Sequence, residues 1–210
     1  DQALWRAAGQ QARDLDAARR IAARPFDPVR RLASVLVEES DGDRHVIVKG
    51  APELVLDRCR DVTPAARAVL EREFDAGSRV VAVATRAPAT TSGGLGPDDE
   101  RDLELAGFLT FVDRPKTDAA GAVERLARLD VAVKVITGDN DRVARKVCAD
   151  LGMPAGRVIT GAELERLSDD ELMAALPETT IFARVTPEQK SRVIRAARER
   201  GTTTGFLGGG

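Results

Sequence analysis

The sequence predicts an α/β protein in two parts: an α+β segment first, then a segment built on a parallel sheet. Three observations carry this reading. Two alternating apolar runs, 32–38 and 45–49, flank the turn residues Ser40-Asp41-Gly42-Asp43, the pattern of an antiparallel hairpin. The β-branched run at 79–85 adds a further strand to the same part. From Asp113 onward, short apolar runs alternate with helix-length segments, the pattern of βαβ units. A boundary is expected at Asp113-Arg114-Pro115-Lys116, dividing the chain into 1–112 and 113–210.

Taken in order, residues 12–23 are rich in Ala and Arg and predict a helix, which Pro25-Phe26-Asp27-Pro28 stops. The hairpin follows. Pro52, at a first helical position, opens a helix through Cys59. Thr63-Pro64 caps another that runs to about Ala76, where Gly77 ends it. Residues 88–97 (PATTSGGLGP) are a loop by composition, and 103–112 is a strand. In the second part, helices are expected at 117–129, 141–151, 161–167, 169–176 and 187–200. Strands are expected at 131–137, 158–160, 181–184 and 203–207. No internal repeat is present.

Composition narrows the function classes. The 210 residues are 43% hydrophobic and 31% charged, enough to bury a core without disulfides. Thirty-two basic and 34 acidic residues give a net charge of −2, which argues against a nucleic-acid footprint or a basic membrane patch. Aromatic residues are 3% with no Tyr, against a base-stacking platform. Cys59 and Cys148 stand far apart with no CxxC, which fits a reducing compartment and gives no zinc site. No apolar run approaches the roughly 20 residues of a membrane helix, and no secretory signal opens the chain. The chain begins at Asp1 rather than Met and ends in Gly208-Gly209-Gly210, so a piece of a longer protein is expected.

Three short segments carry chemistry. Lys49-Gly50-Ala51-Pro52-Glu53 follows a strand and opens a helix. Its small residues admit a ligand close to the backbone beside an ammonium suited to phosphate. A lysine at a strand end is also commonly a solvated residue. Thr137-Gly138-Asp139-Asn140 lies at the carboxyl end of a parallel strand, where open α/β sheets bind ligands. Its hydroxyl and the next helix N-terminus form a phosphate cradle. Asp139 or Asn140 reads equally as a plain N-cap. Thr186-Pro187-Glu188-Gln189-Lys190 sets a lysine in a helical first turn, against the dipole, which suggests an anionic partner. A solvated lysine is the alternative.

In this order, PFDPVRRLASV, KGAPE, GSRVVAVATR, FVDRPK, KVITGDN, FARVTPEQK and TGFLGGG resemble a P-type cation-transporting ATPase over nearly the whole chain. RLASVLVEE, TGDNDRVARKVCADLGM and IFARVTPEQK are most like the bacterial magnesium-importing branch, while calcium-type pumps share KGAPE and TGDN. The resemblance implies an incomplete nucleotide-binding domain at 1–112. A Rossmann-like phosphorylation domain of the haloacid-dehalogenase type, also incomplete, would follow at 113–210. By motif, Phe26 corresponds to the aromatic that stacks on adenine, and Arg31 to a basic residue near the nucleotide. Lys49, Gly50 and Ala51 correspond to the adenine-pocket motif, and Arg79 to the arginine that reaches the phosphates. Asp113 belongs to the hinge motif, here Asp113-Arg114-Pro115-Lys116 with one proline replaced. Thr137, Gly138 and Asp139 would hold the transferred phosphoryl group and face the nucleotide, and Lys190 would neutralise charge there.

Two departures are visible. The 210 residues contain no DKTGT segment, which supplies the aspartyl nucleophile in that family. Where the family has GDGxND, this chain has Gly208-Gly209-Gly210, and glycine offers Mg²⁺ no side-chain ligand. The resemblance therefore implies ATP as ligand, Mg²⁺ with its ligands outside this chain, and nucleotide binding without turnover by the chain alone. The implied partners are the rest of the pump, with its membrane helices and actuator domain, at the cytoplasmic face of the cell membrane. No nucleic acid is implied. The alternatives are a stand-alone haloacid-dehalogenase-type phosphatase and a non-catalytic nucleotide-binding remnant. Elsewhere the reading is structural. His45, Cys59, Cys148 and Trp5 are packing residues, Asp98-Asp99-Glu100 is solvated, and Asp169-Asp170-Glu171 begins a helix.

Overall fold

The computed structural model describes residues 18–88, 94–112, 116–154, 156–201 and 203–208. Contacts group the chain into two compact units, Asp1–Ala68 with Val80–Leu109 and Val69–Arg79 with Thr110–Gly210. Both are mixed α/β.

The first unit is built on a five-stranded sheet. Its strands, β1 (Arg19–Asp27), β2 (Leu32–Glu38), β3 (Arg44–Gly50), β4 (Arg79–Arg86) and β5 (Glu104–Phe111), lie side by side in chain order. The β1–β2, β2–β3 and β3–β4 pairs are antiparallel. The expected hairpin forms. Glu39 N donates to Asp43 O, Gly42 N donates to Glu39 O, and Gly42 takes φ +92°, a value that favours glycine. Side chains alternate along the strands. Leu32, Ser34, Leu36, Val46, Val48, Val80, Ala82 and Ala84 are buried. The intervening Ala33, Val35, Ile47, Val81 and Val83 are only half-buried. The sheet thus has one covered face and one partly open face. Helix α1 (Pro52–Leu56) packs on β3 and buries Val55 and Leu56. Helix α2 (Pro64–Asp75) follows, starting at the expected proline; from Val69 onward its residues group with the second unit.

The second unit carries a parallel sheet of order β6–β8–β7, from β6 (Val135–Ile136), β7 (Arg157–Thr160) and β8 (Thr179–Ala183). Its helices are α3 (Ala119–Arg128), α4 (Asp141–Asp150), α5 (Gly161–Arg166), α6 (Asp169–Ala175) and α7 (Pro187–Glu199). Strand β8 shows why the layers form. Phe182 enters a cluster with Ile159, Leu164, Leu172, Leu176, Val193 and Ala196, while Ile181 and Ala183 enter another with Ala144, Cys148 and Met153. Successive residues point to opposite faces, so helices cover both. Side-chain caps set the helix starts. Thr160–Glu163, Ser168–Glu171 and Thr186–Gln189 form reciprocal capping boxes, and Asn140 Oδ1 accepts from Arg142 N. The Asp169-Asp170-Glu171 run is a helix start, as its composition predicts.

Several expectations change. Of the helix expected at 12–23, residues 12–17 lie outside the described residues, and Arg19 through Ala23 form strand β1 instead. Pairing with β2 satisfies that backbone and overrides the helical propensity of Ala and Arg. The strand expected at 131–137 shortens to two residues. Ahead of it Lys134 turns its ammonium to the carbonyls of Leu176 and Thr179, at 2.5 and 2.7 Å. Residues 203–207 form no strand, and Phe206 and Leu207 are exposed. Cys59 sits beyond α1, bridged to Leu103, with its Sγ donating to Val55 O at 3.2 Å. Burial pushes the thiols of both Cys59 and Cys148 up.

Candidate functional site

In the first unit, register brings five of the expected nucleotide residues, Phe26, Arg31, Lys49, Gly50 and Ala51, to one end of the sheet. Asp27 pairs with Leu32, Leu32 with Gly50, and Gly50 with Ala82. Phe26 precedes this row on β1 and is 62% exposed. Arg31 precedes it as the last residue of the β1–β2 turn, in the left-handed region at φ +53°. The β1–β2 turn is held by Asp27. Its Oδ1 accepts from Val29 N at 2.8 Å and Arg30 N at 2.7 Å, and Arg31 N donates to Asp27 O at 2.6 Å. The amide bond from Arg30 leads the effects that hold the Asp27 carboxyl below its ordinary range.

Gly50 and Ala51 meet Arg31 directly. Ala51 N donates to Arg31 O at 3.1 Å, and a Cβ on Gly50 would lie 2.2 Å from that same oxygen. Only glycine fits such an approach. Lys49 projects from the partly open face, paired across strands with Ala33 and Val83. An exposed aromatic, a lysine beside small apolar side chains and a tight backbone junction therefore share one end of the sheet. Chemically, this suits a flat heterocycle bearing anionic groups.

Behind the turn lies a group the sequence does not announce. Glu100, expected to be solvated, is 3% exposed, and Asp99 is buried with it. Asp99 Oδ2 accepts from Gly96 N at 2.8 Å. The Glu100 carboxylate pairs with Arg30, lies 2.9 Å from Arg24 Nη1, and accepts from Ser34 Oγ at 2.5 Å. Burial raises its pKa, but the hydrogen bonds from Arg30 and Ser34 and the charges of Arg30 and Arg24 outweigh that. The net effect holds the carboxyl below its ordinary range.

In the second unit, two loops leave the carboxyl ends of the neighbouring parallel strands β6 and β8. Backbone bonds stitch them together. Thr137 N donates to Phe182 O at 2.8 Å, Arg184 N to Asp139 O at 3.0 Å, and Val185 N to Thr137 O at 3.2 Å. Thr137 Oγ1 donates to Asp139 Oδ2 at 2.9 Å and accepts from Asp139 N at 3.1 Å. A Cβ at Gly138 would meet only Val185 O, at an ordinary 3.8 Å, so crowding does not demand the glycine. Arg79 Nε lies 3.0 Å from Asp139 Oδ1, joining two expected site residues within this unit. Lys190 sits in the first turn of α7, with its ammonium 4.9 Å above the Phe206 ring.

Gln189, beside Lys190, was not singled out by the sequence reading. Its Nε2 donates to Gly161 O at 3.0 Å and Glu165 Oε1 at 2.9 Å, tying α7 to α5. The Thr186-x-x-Gln189 capping spacing is the sequence signal that could have found it. Asp113 lies outside the described residues. Among the described residues, no group of three or more His, Cys, Asp or Glu could hold a metal ion, and no helix is long and apolar enough to cross a membrane.

Residues 4–118 match the family P-type ATPase, cytoplasmic domain N. The chain is 37% identical over 217 residues to Magnesium-transporting ATPase, P-type 1 of Escherichia coli (strain K12), covering 94% of this chain and 24% of that protein. It is 39% identical over 199 residues to the protein of the same name from Salmonella typhimurium (strain 14028s / SGSC 2262), covering 89% and 22%. Identity to Probable cation-transporting ATPase I of Mycobacterium tuberculosis (strain ATCC 25618 / H37Rv) is 34% over 203 residues, covering 89% and 12%. The chain thus spans about a quarter or less of the length of these relatives. With more than half of its residues matched, including the whole Phe26–Lys49 end of the sheet, the chain belongs to the P-type ATPase family and carries its cytoplasmic domain N.

Proposed function

We propose that this chain is the cytosolic ATP-binding and phosphoryl-handling portion of a P-type ATPase that couples ATP hydrolysis to divalent cation transport. Mg²⁺ is the proposed ion, on the printed names of the Escherichia coli and Salmonella relatives. The observation that carries the reading is the convergence of Phe26, Arg31, Lys49, Gly50 and Ala51 at one end of an antiparallel sheet. In this reading Phe26 stacks on adenine while Lys49 closes the open face beside it. Arg31 carries cationic charge toward the phosphates, and the same role is proposed for Arg79 on its motif alone.

The second unit is read as a phosphorylation domain of the haloacid-dehalogenase type, with 113–210 as its sequence extent and Asp113 in its hinge. Its parallel sheet, covered on both faces, and its paired loops at the strand ends support that reading. The Thr137 hydroxyl and Gly138 amide hold the phosphoryl group, Asp139 faces the nucleotide, and Lys190 offsets the accumulating charge. The Mg²⁺ ligands and the aspartyl nucleophile come from residues outside the 210. The chain alone therefore binds ATP without turnover. The remainder of the pump, including its membrane helices and actuator domain, is the proposed partner, placing this portion at the cytoplasmic face of the membrane.

An ATP titration followed by amide NMR shifts, run beside Lys49→Ala, tests the nucleotide reading. Saturable shifts around Lys49 and Phe26 that the variant abolishes are expected. No shift at millimolar ATP would sink it.

A further inference from the structure

We infer that Glu100, acting through Arg30, is a positioning residue for the nucleotide site; the inference rests on the nucleotide reading of Phe26, Arg31 and Lys49. A carboxylate removed from water is costly unless paired, and Glu100 is almost wholly buried. Its partners are not scattered. Arg24, Arg30 and Ser34 all flank the β1–β2 turn, 66 to 76 residues away in sequence. Three points of one short segment thus converge on a single carboxylate.

Arg30 is the arm that reaches the site. One end of its guanidinium pairs with Glu100, while Nη2 donates to Pro25 O at 3.0 Å. Pro25 immediately precedes Phe26, and Arg30 immediately precedes Arg31. Its backbone N–H also binds Asp27 Oδ1 at 2.7 Å. Both ends of the segment that displays Phe26 and Arg31 are therefore held by one side chain, itself held by Glu100. Phe26, mostly exposed, is not fixed by burial; its placement follows from the backbone beneath it.

Stability alone accounts poorly for the cluster. A buried ion group stabilises little compared with apolar residues of the same volume. Arg24 Nη1 is buried with no hydrogen-bond partner, held to Glu100 by charge alone. What the cluster does supply is one fixed geometry for the turn, and a stacking residue needs that to bind without first being ordered.

The test uses the full chain and ATP as probe, well below the unfolding temperature of each variant. Glu100→Gln is expected to weaken ATP binding roughly tenfold. The Phe26 and Arg31 amide resonances should shift and broaden in the unliganded protein, while Val46 and Ala84 stay in place. Glu100→Asp is expected to recover part of the affinity. Should Glu100→Gln fail to fold, Arg30→Lys decides. It keeps a cation for Glu100 but lacks the planar fork that meets Glu100 and Pro25 O from two separate nitrogens, so affinity should fall while the melting temperature stays close to that of the parent chain. Parent affinity in a folded Glu100→Gln or Arg30→Lys chain overturns the inference and leaves the nucleotide reading standing. Absence of ATP binding by the parent chain overturns both.

Discussion

At the scale of single residues, Gly50 is the tightest point of the candidate site. Any side chain there must displace Arg31 O, because a Cβ would stand 2.2 Å from it. Gly50→Ala should cost about 1–3 kcal/mol of stability, as overpacking does, and weaken ATP binding with it; urea unfolding and the NMR titration read the two effects. Gly138 makes the contrast, since its Cβ position is open. Gly138→Ala should leave urea unfolding almost unchanged. Glu100 brings a pH signature. Its folded-state pKa lies below the ordinary 4.5, so its stabilisation is present above that value and is lost as pH falls below it. The parent chain should lose stability over that acid window more steeply than Glu100→Gln in a pH series of urea unfolding. Lys49, Gly50 and Ala51 were legible because their chemistry is contiguous in sequence. Glu100 was not, because its neighbours Asp98 and Asp99 suggest a solvated run, while the partners that bury it lie 66 or more residues away.

At the scale of elements, helix starts were the easiest features to read and β1 the hardest. The residues that cap α5, α6 and α7 follow the spacing of a capping box, a local rule. Removing one should act locally as well. Thr186→Ala should cost about 1 kcal/mol in chemical denaturation and loosen the first turn that presents Lys190. The strand state of β1 has no local cause. Arg19-Arg20-Ile21-Ala22-Ala23 would serve a helix, and only the ladder to β2 makes it a strand. The same holds in reverse for residues 203–207, whose strand-like composition finds no ladder. Strands depend on partners that a sequence window does not contain.

At the scale of the whole molecule, the general architecture was legible because its two parts have different periodicities. Alternation with one half-open face gave the antiparallel sheet, and short continuous apolar runs between helices gave the parallel one. The central strand β8 shows how much rests on the latter. Phe182 is fully buried within its cluster, and Phe182→Ala should cost about 3–5 kcal/mol, read as a lowered denaturation midpoint. The function of the whole is a proposal with its own check. Purified chain incubated with ATP and Mg²⁺ should release no phosphate above the buffer rate, since no DKTGT segment is present in its 210 residues.

The β2–β3 turn has a practical use. Register places Glu38 opposite Arg44 at the turn and Leu32 opposite Gly50 at the other end of the same ladder. Seven-residue strands at roughly 3.3 Å per residue put the turn about 20 Å from the Gly50 junction. Space around Gly42 is open. An affinity handle or a fluorophore grafted at Asp41 would tether the chain to a sensor surface with the Gly50 end of the ladder pointing away from it.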